Sequence, residues 1–215
     1  MMFRSAISLL LSTLSVTIAC GVSAGGTCDV LTVGLDTTLA NNYGGSAVGR
    51  SIGQSFHAPT RQLKSIAVWR AASQAKSVIG MDLHIFETDS AGTPRMDREV
   101  LDGPTIVRND GDGIHDTEFR WTFDPPLELP AVGTYAFFLK QDPCLAYLDV
   151  IGRTGDPLAY PDGHAWSSQR GAGCAFVPVP PEAHPDADLI FNAEFCVDAV
   201  PVQRRSWGQV RMTYR

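Results

Sequence analysis

At 215 residues the chain has ample length for one domain with a real core and is short for two. Its net charge of −6 argues against a nucleic-acid partner, which wants a basic footprint for phosphate contacts. Beyond residue 24 no segment approaches the run of about 20 apolar residues that a membrane-spanning helix needs.

The first element is an export signal. Arg4 precedes an apolar stretch from Ala6 to Ala19, and Val22-Ser23-Ala24 supplies a small-x-small cleavage pattern. Residues 1–24 therefore read as a signal peptide, with Gly25 as the mature N-terminus and a secreted, extracytoplasmic destination. An alternative uses Thr17-Ile18-Ala19-Cys20 as a lipoprotein box, with the protein anchored through a lipid on Cys20. Past the signal, Cys28, Cys144, Cys174 and Cys196 remain. An even set in an exported chain reads as disulfides, and three pairings are open. The preferred one joins Cys28 to Cys196, first strand to last, and Cys144 to Cys174. No C-x-x-C pair is present, so zinc-ribbon and thioredoxin chemistry have little support.

Residues 25–198 then alternate or cluster their apolar side chains over short runs between Gly, Pro, Asp and Asn, the pattern of strands and turns. The predicted strands are Cys28–Val33, Ser51–His57, Leu63–Arg70, Gly80–Glu87, Thr105–Val107, Glu118–Phe123, Gly133–Lys140, Ala146–Ile151, His164–Ser167 and Ala187–Val197. Turn chemistry separates them at Asp89-Ser90-Ala91-Gly92, Asn109 to Gly113, Asp124-Pro125-Pro126 and Pro161-Asp162-Gly163. About ten short strands without long helices predict an all-β sandwich of jelly-roll type. Leu35–Gly49 and the proline-rich Val177–Pro185 read as irregular chain. Residues 199–215 form a basic tail carrying Arg204, Arg205, Arg211 and Arg215. Ser206 can cap a short helix there, with Trp207, Val210 and Tyr214 on one face.

Motifs for hydrolysis are missing. There is no G-x-S-x-G elbow and no H-E-x-x-H. His57, His84, His115, His164 and His184 are scattered, so a zinc site would need convergence from separate segments. Asp110-Gly111-Asp112-Gly113 resembles the start of a calcium loop, but Ile114 and His115 occupy the positions where an EF-hand needs an oxygen donor and a glycine. Asp110, Asp112 and Asp116 stay weak calcium candidates beside the reading of a polar hairpin. No other cofactor is indicated.

The stretch from Gly152 to Trp166 gathers glycines, prolines, acids and aromatics. Sugars stack their apolar faces on aromatic rings while carboxylates and amides bind their hydroxyls. On that chemistry Tyr160, with Asp156, Asp162, Arg153 and Tyr147, is the candidate ligand site. The competing reading makes Tyr147 and Trp166 inward-facing core residues, with Trp69 and Trp121.

Gly53-Gln54-Ser55-Phe56, Ala58-Pro59 and Leu63–Val68 are followed by Tyr147, Thr154-Gly155-Asp156-Pro157, Gly163, Ala165-Trp166 and Asp188-Leu189-Ile190-Phe191. This order resembles a non-catalytic domain of exported bacterial proteins, of the choice-of-anchor or carbohydrate-binding-module kind. The tail Ser206-Trp207-Gly208-Gln209-Val210-Arg211-Met212-Thr213-Tyr214-Arg215 is similar to a C-terminal ending found on other exported proteins. The resemblance implies a jelly-roll accessory domain without enzymatic activity, in which Gln54, Ser55 and Phe56 fix the fold. The expected function is binding of polysaccharide or another cell-envelope component, with peripheral attachment through the tail. A structural surface protein and a polysaccharide-active hydrolase or lyase are the rivals.

Overall fold

The computed structural model describes residues 28–46, 50–72, 78–109, 114–142, 148–155, 160–171 and 174–197. The expected signal peptide and C-terminal helix lie outside them. Among the described residues the strands are β1 (Asp29–Gly34), β2 (Asn42–Ser46), β3 (Arg50–Ala58), β4 (Gln62–Arg70), β5 (Val78–Thr88), β6 (Pro94–Asp102) and β7 (Ile106–Asn109). They continue with β8 (Thr117–Glu128), β9 (Gly133–Asp142), β10 (Leu148–Thr154), β11 (Ala165–Gln169), β12 (Glu182–His184), β13 (Ala187–Leu189) and β14 (Phe191–Val197).

Two antiparallel sheets result. The first runs β1-β14-β4-β10-β13, with β2 added to β10 and β8 to β4. The second runs β12-β11-β3-β9-β5-β6, with β7 added to β5. From β3 to β5, and again from β8 to β11, successive strands pass from one sheet to the other. That is the wrapping expected of a jelly-roll sandwich.

Period-two alternation selects what lies between the sheets. Met81, Leu83 and Ile85 of β5 face inward with Tyr135, Phe137 and Leu139 of β9. Phe56 is the hub of this core, fully buried and with Tyr135, Phe137, Phe191 and Phe195 all about it at ring-centre distances of 6.2 to 6.4 Å. Burying one such ring contributes about 1.5–3 kcal/mol.

The second sheet is covered on its outer face too. Phe86, Ala136, Phe138 and Trp166 form a separate cluster there, capped by Phe176 from the segment that follows β11. Trp166 is therefore buried as expected but on the outside of the sheet rather than in the sandwich core. Its Nε1 donates to Ser55 Oγ at 3.2 Å.

Several boundaries differ from the sequence reading. Leu35–Gly49 is not simply irregular: it holds a 3-10 turn at Thr37–Leu39, capped by Asp36, and β2. Thr38 N–H donates to Asp36 Oδ1, which holds that carboxyl below its ordinary range. β6 was missed because its polar residues lie on an exposed edge strand, where alternation is weak. Asp124-Pro125-Pro126 lies inside β8, at the irregularity where its register with β4 jumps from Thr122 to Leu127, so the prolines stand outside the paired ladder. The proline-rich Val177–Pro185 contains β12, and Ala187–Val197 divides at Ile190 into β13 and β14.

Cys28 and Cys196 are disulfide-bonded, as predicted, across the paired β1 and β14. Cys174 is also in a disulfide. Cys144 lies outside the described residues.

Candidate functional site

Gln54 and Ser55 act as two locks on opposite faces of β3. The Gln54 amide points between the sheets, where Nε2 donates to Asp188 Oδ1 at 3.1 Å and Oε1 accepts from Leu189 N–H at 2.9 Å. It thereby ties β3 of one sheet to β13 of the other. On the outer face, Ser55 Oγ accepts from His164 N–H at 3.0 Å and from the Trp166 indole. Gly163 lies so close that a Cβ there would sit 2.1 Å from Ser55 O. These buried bonds explain why the Gln-Ser-Phe and Gly-x-Ala-Trp segments belong together: each fixes a neighbouring strand.

The partners of the Gln54 lock, Asp188 and Leu189, lie on β13 at the margin of the first sheet. A cleft of about 180 Å³ opens there. Ile52, Ala165, Ala187 and Leu189 give it apolar walls; Asn42, Arg153, Thr154, His184 and Asp188 give it polar corners. Each polar group is held from behind. Asn42 Nδ2 donates to Thr154 Oγ1 at 3.2 Å, and Arg153 Nη1 donates to Leu39 O at 3.2 Å. Arg153 stands opposite Asp188 in the β10–β13 register. His184 Nε2 is hydrogen-bonded to Ser167 Oγ at 2.9 Å. Asn41 brackets the end of β10, accepting from Thr154 N–H and donating to Thr154 O. Gly155, with φ +80°, turns the chain away and donates to Asp186 O at 3.1 Å.

Of the predicted ligand residues, the structure brings only Arg153 to this cleft. Tyr160 is corrected: it is 5 % exposed, with its ring edge-on to Phe191 at 5.2 Å and its hydroxyl accepting from His57 N–H at 3.2 Å. A ring enclosed in that way cannot serve as a stacking platform, and burial pushes its hydroxyl up to about 12. Asp162 is exposed in the turn after it and does not line the cleft. Asp156 and Tyr147 lie outside the described residues, as do Asp110 and Asp112. Asp116 accepts from Ala72 N–H at 2.9 Å, a structural bond joining the start of β8 to the end of β4.

Asn42, His184 and Asp188 were not among the predicted site residues. Asn42 stood in a segment read as irregular, and His184 in one read as a loop. Asp188 stood in the Asp188-Leu189-Ile190-Phe191 motif, read as part of the strand Ala187–Val197. The doubled Asn41-Asn42 was the available signal.

His164 packs at a tilt against Trp166 with ring centres 4.5 Å apart. Burial, with His184 nearby, holds it below the ordinary histidine range. Its Nε2 has no hydrogen-bond partner among the described residues.

No family model matches this chain. No curated protein matches it either. Among solved structures it is similar to the cysteine protease and lectin-like domains of Cwp84, a surface layer associated protein of Clostridium difficile. That match has 10 % identity and a TM-score of 0.48, and covers 79 % of this chain and 36 % of the other. The likeness is too distant to transfer a ligand or an activity to this chain.

Proposed function

We propose that the protein is an extracytoplasmic binding domain that holds a sugar unit of a glycan or another cell-envelope polymer in the cleft beside Gln54. The observation that carries this reading is the lining of that cleft. Apolar side chains from both sheets line it together with an amide, a guanidinium, a hydroxyl and a carboxylate. A sugar ring presents the matching combination of apolar faces and equatorial hydroxyls. At about 180 Å³ the space is smaller than the roughly 300–1,000 Å³ of pockets for drug-sized ligands, so it suits one ring of a longer chain.

Binding without turnover is the reading we take for this cleft. Hydrolysis of a glycosidic bond ordinarily uses two carboxylates about 5–9.5 Å apart. Asp188 is the sole carboxylate among the described residues of the cleft, and its Oδ1 is already engaged by Gln54. The extracytoplasmic compartment is supported by the signal-like opening and by the Cys28–Cys196 bridge. The basic tail 199–215 is proposed as a peripheral attachment element. Its deletion should release the protein from cells and leave the melting temperature of the domain unchanged.

A glycan array and co-sedimentation with insoluble cell-wall polysaccharide test the reading. Retention of the purified domain by at least one polysaccharide, without release of reducing sugar, is the expected result. Release of reducing sugar would replace it with an enzyme. Failure to be retained by any polysaccharide, together with self-association, would favour a structural surface protein.

A further inference from the structure

On the outer face of the second sheet, away from the cleft, a histidine and two carboxylates converge because β6 carries one extra residue. His84 of β5 stands opposite Asp102, and Ile85 opposite Leu101, but Phe86 stands opposite Glu99. The step from Leu101 to Glu99 spans two residues of β6 against one of β5, so Val100 is the bulge. In a regular strand Glu99 and Asp102, three apart, would point to opposite faces. The bulge turns Glu99 onto the face of Asp102, and both carboxylates meet the same imidazole. Glu99 Oε1 lies 2.6 Å and Asp102 Oδ1 3.4 Å from His84 Nδ1, and the three atoms all lie within 4.8 Å of one another.

We infer that His84, Glu99 and Asp102 bind a divalent transition-metal ion of the zinc type. One imidazole nitrogen and two carboxylate oxygens form the donor set that zinc takes at about 2.0–2.2 Å from each. Calcium is disfavoured, because it takes about six to eight oxygens and a nitrogen donor does not suit it. The imidazole is pre-positioned: His84 is 4 % exposed and its ring packs edge-on to Phe176 at 4.9 Å. The carboxylates are the adjustable partners, with side-chain exposures of 39 % for Glu99 and 76 % for Asp102. They can open the short contact to Nδ1 by small rotations, and the exposed side leaves room for water to complete the shell. An ion on Nδ1 takes that nitrogen's lone pair, so the neutral ring binds it as the tautomer whose single hydrogen is on Nε2. Nε2 is buried with no hydrogen-bond partner among the described residues, so that N–H is unsatisfied. That burden keeps the site weaker than zinc sites whose histidine is hydrogen-bonded from behind.

Isothermal titration of the chelator-treated mature protein with zinc, and absorption spectroscopy with cobalt(II) as the probe, test the inference. One equivalent of zinc should bind, calcium should not compete, and bound cobalt should give visible d–d bands. Glu99→Gln and Asp102→Asn together should weaken binding by at least about tenfold. His84→Ala should abolish the cobalt bands; the double variant, which keeps the imidazole and its packing, covers the case in which His84→Ala fails to fold. Absence of saturable zinc binding, or an unchanged affinity and spectrum in the double variant, would overturn the assignment and leave the cluster as an ion pair. Neither result bears on the cleft, which shares no residue with this site.

Discussion

Gln54 and Asp188 are joined across the interior of the sandwich, the amide Nε2 of one donating to Oδ1 of the other at 3.1 Å. Both residues are buried, and the same amide accepts from Leu189 N–H. Asp188 and Leu189 also line the proposed binding cleft, so the bond holds part of its wall as well as closing the fold. Gln54→Leu keeps the volume but leaves a carboxylate oxygen and a backbone N–H without this partner. Losing partners for buried polar groups costs about 1–3 kcal/mol each. Denaturant unfolding should therefore show a loss of about 2–6 kcal/mol, and any glycan binding should weaken with it.

Ser55 and Gly163 form the second lock. Gly163→Ala places a Cβ against the Ser55 carbonyl, a backbone atom that cannot rotate away. Strand β11 must shift, with a cost on the order of 1–3 kcal/mol for an overpacked site. Ser55→Ala should cost about 1–2 kcal/mol, since it removes the acceptor of His164 N–H and the Trp166 indole. Thermal melts and Trp fluorescence, which reports the displaced indole, check both.

These two locks show what could be read before the structure. The motif order placed Gln54, Ser55 and Phe56 as fold-fixing residues, and each makes the bonds or contacts that role requires. The Cys28–Cys196 pairing followed from joining the first strand to the last. What failed was reading exposure from turn composition. Tyr160 stands between turns rich in Pro and Gly, yet its ring inserts beneath them against Phe191. Trp166 was correctly read as buried, but alternation alone could not show a second apolar layer outside the sheet. Phe176, from the segment between β11 and the proline-rich run, caps that layer. Convergence of His84, Glu99 and Asp102 depends on a bulge in a strand that the hydrophobic pattern did not reveal.

Tyr160 gives an alkaline signature. Its hydroxyl is pushed up to about 12 from an ordinary 10.0, with burial the main cause. The folded state thus holds the proton more tightly than the unfolded chain. The associated stability is complete below pH 10 and is lost as pH rises towards 12. Two units correspond to at most about 2–3 kcal/mol. Tyr160→Phe should be less stable than the wild type at pH 8, by about 1 kcal/mol for the lost bond to His57 N–H. The difference should shrink or reverse by pH 12 in unfolding curves.

His164 gives an acidic one. Its titration is lowered by burial and by His184, so the neutral ring is favoured in the folded protein. Stability from this group is present above the unfolded value of 6.5 and is lost as pH falls below it. His164→Gln, which cannot charge, should flatten the part of the stability profile just below pH 6.5. An unchanged slope would assign the loss to carboxylates.

Cleavage of Cys28–Cys196 removes a cross-link spanning 168 residues of sequence. Cys28→Ser with Cys196→Ser should lower stability by about 2–5 kcal/mol. Non-reducing peptide mapping should recover the 28–196 pair and identify the partner of Cys174; recovery of Cys174 with Cys144 would complete the predicted framework.

The most direct test is titration of the mature protein with a soluble oligosaccharide from whichever polysaccharide retains it, comparing wild type with Arg153→Ala. The guanidinium lines the cleft and takes no part in the hydrophobic core, so its removal should leave the far-UV circular dichroism unchanged. The account predicts saturable binding to the wild type and a loss of about tenfold or more in affinity in the variant, the effect of about 1.4 kcal/mol. Equal affinity of the two proteins, or no saturable binding to any envelope oligosaccharide, would contradict it.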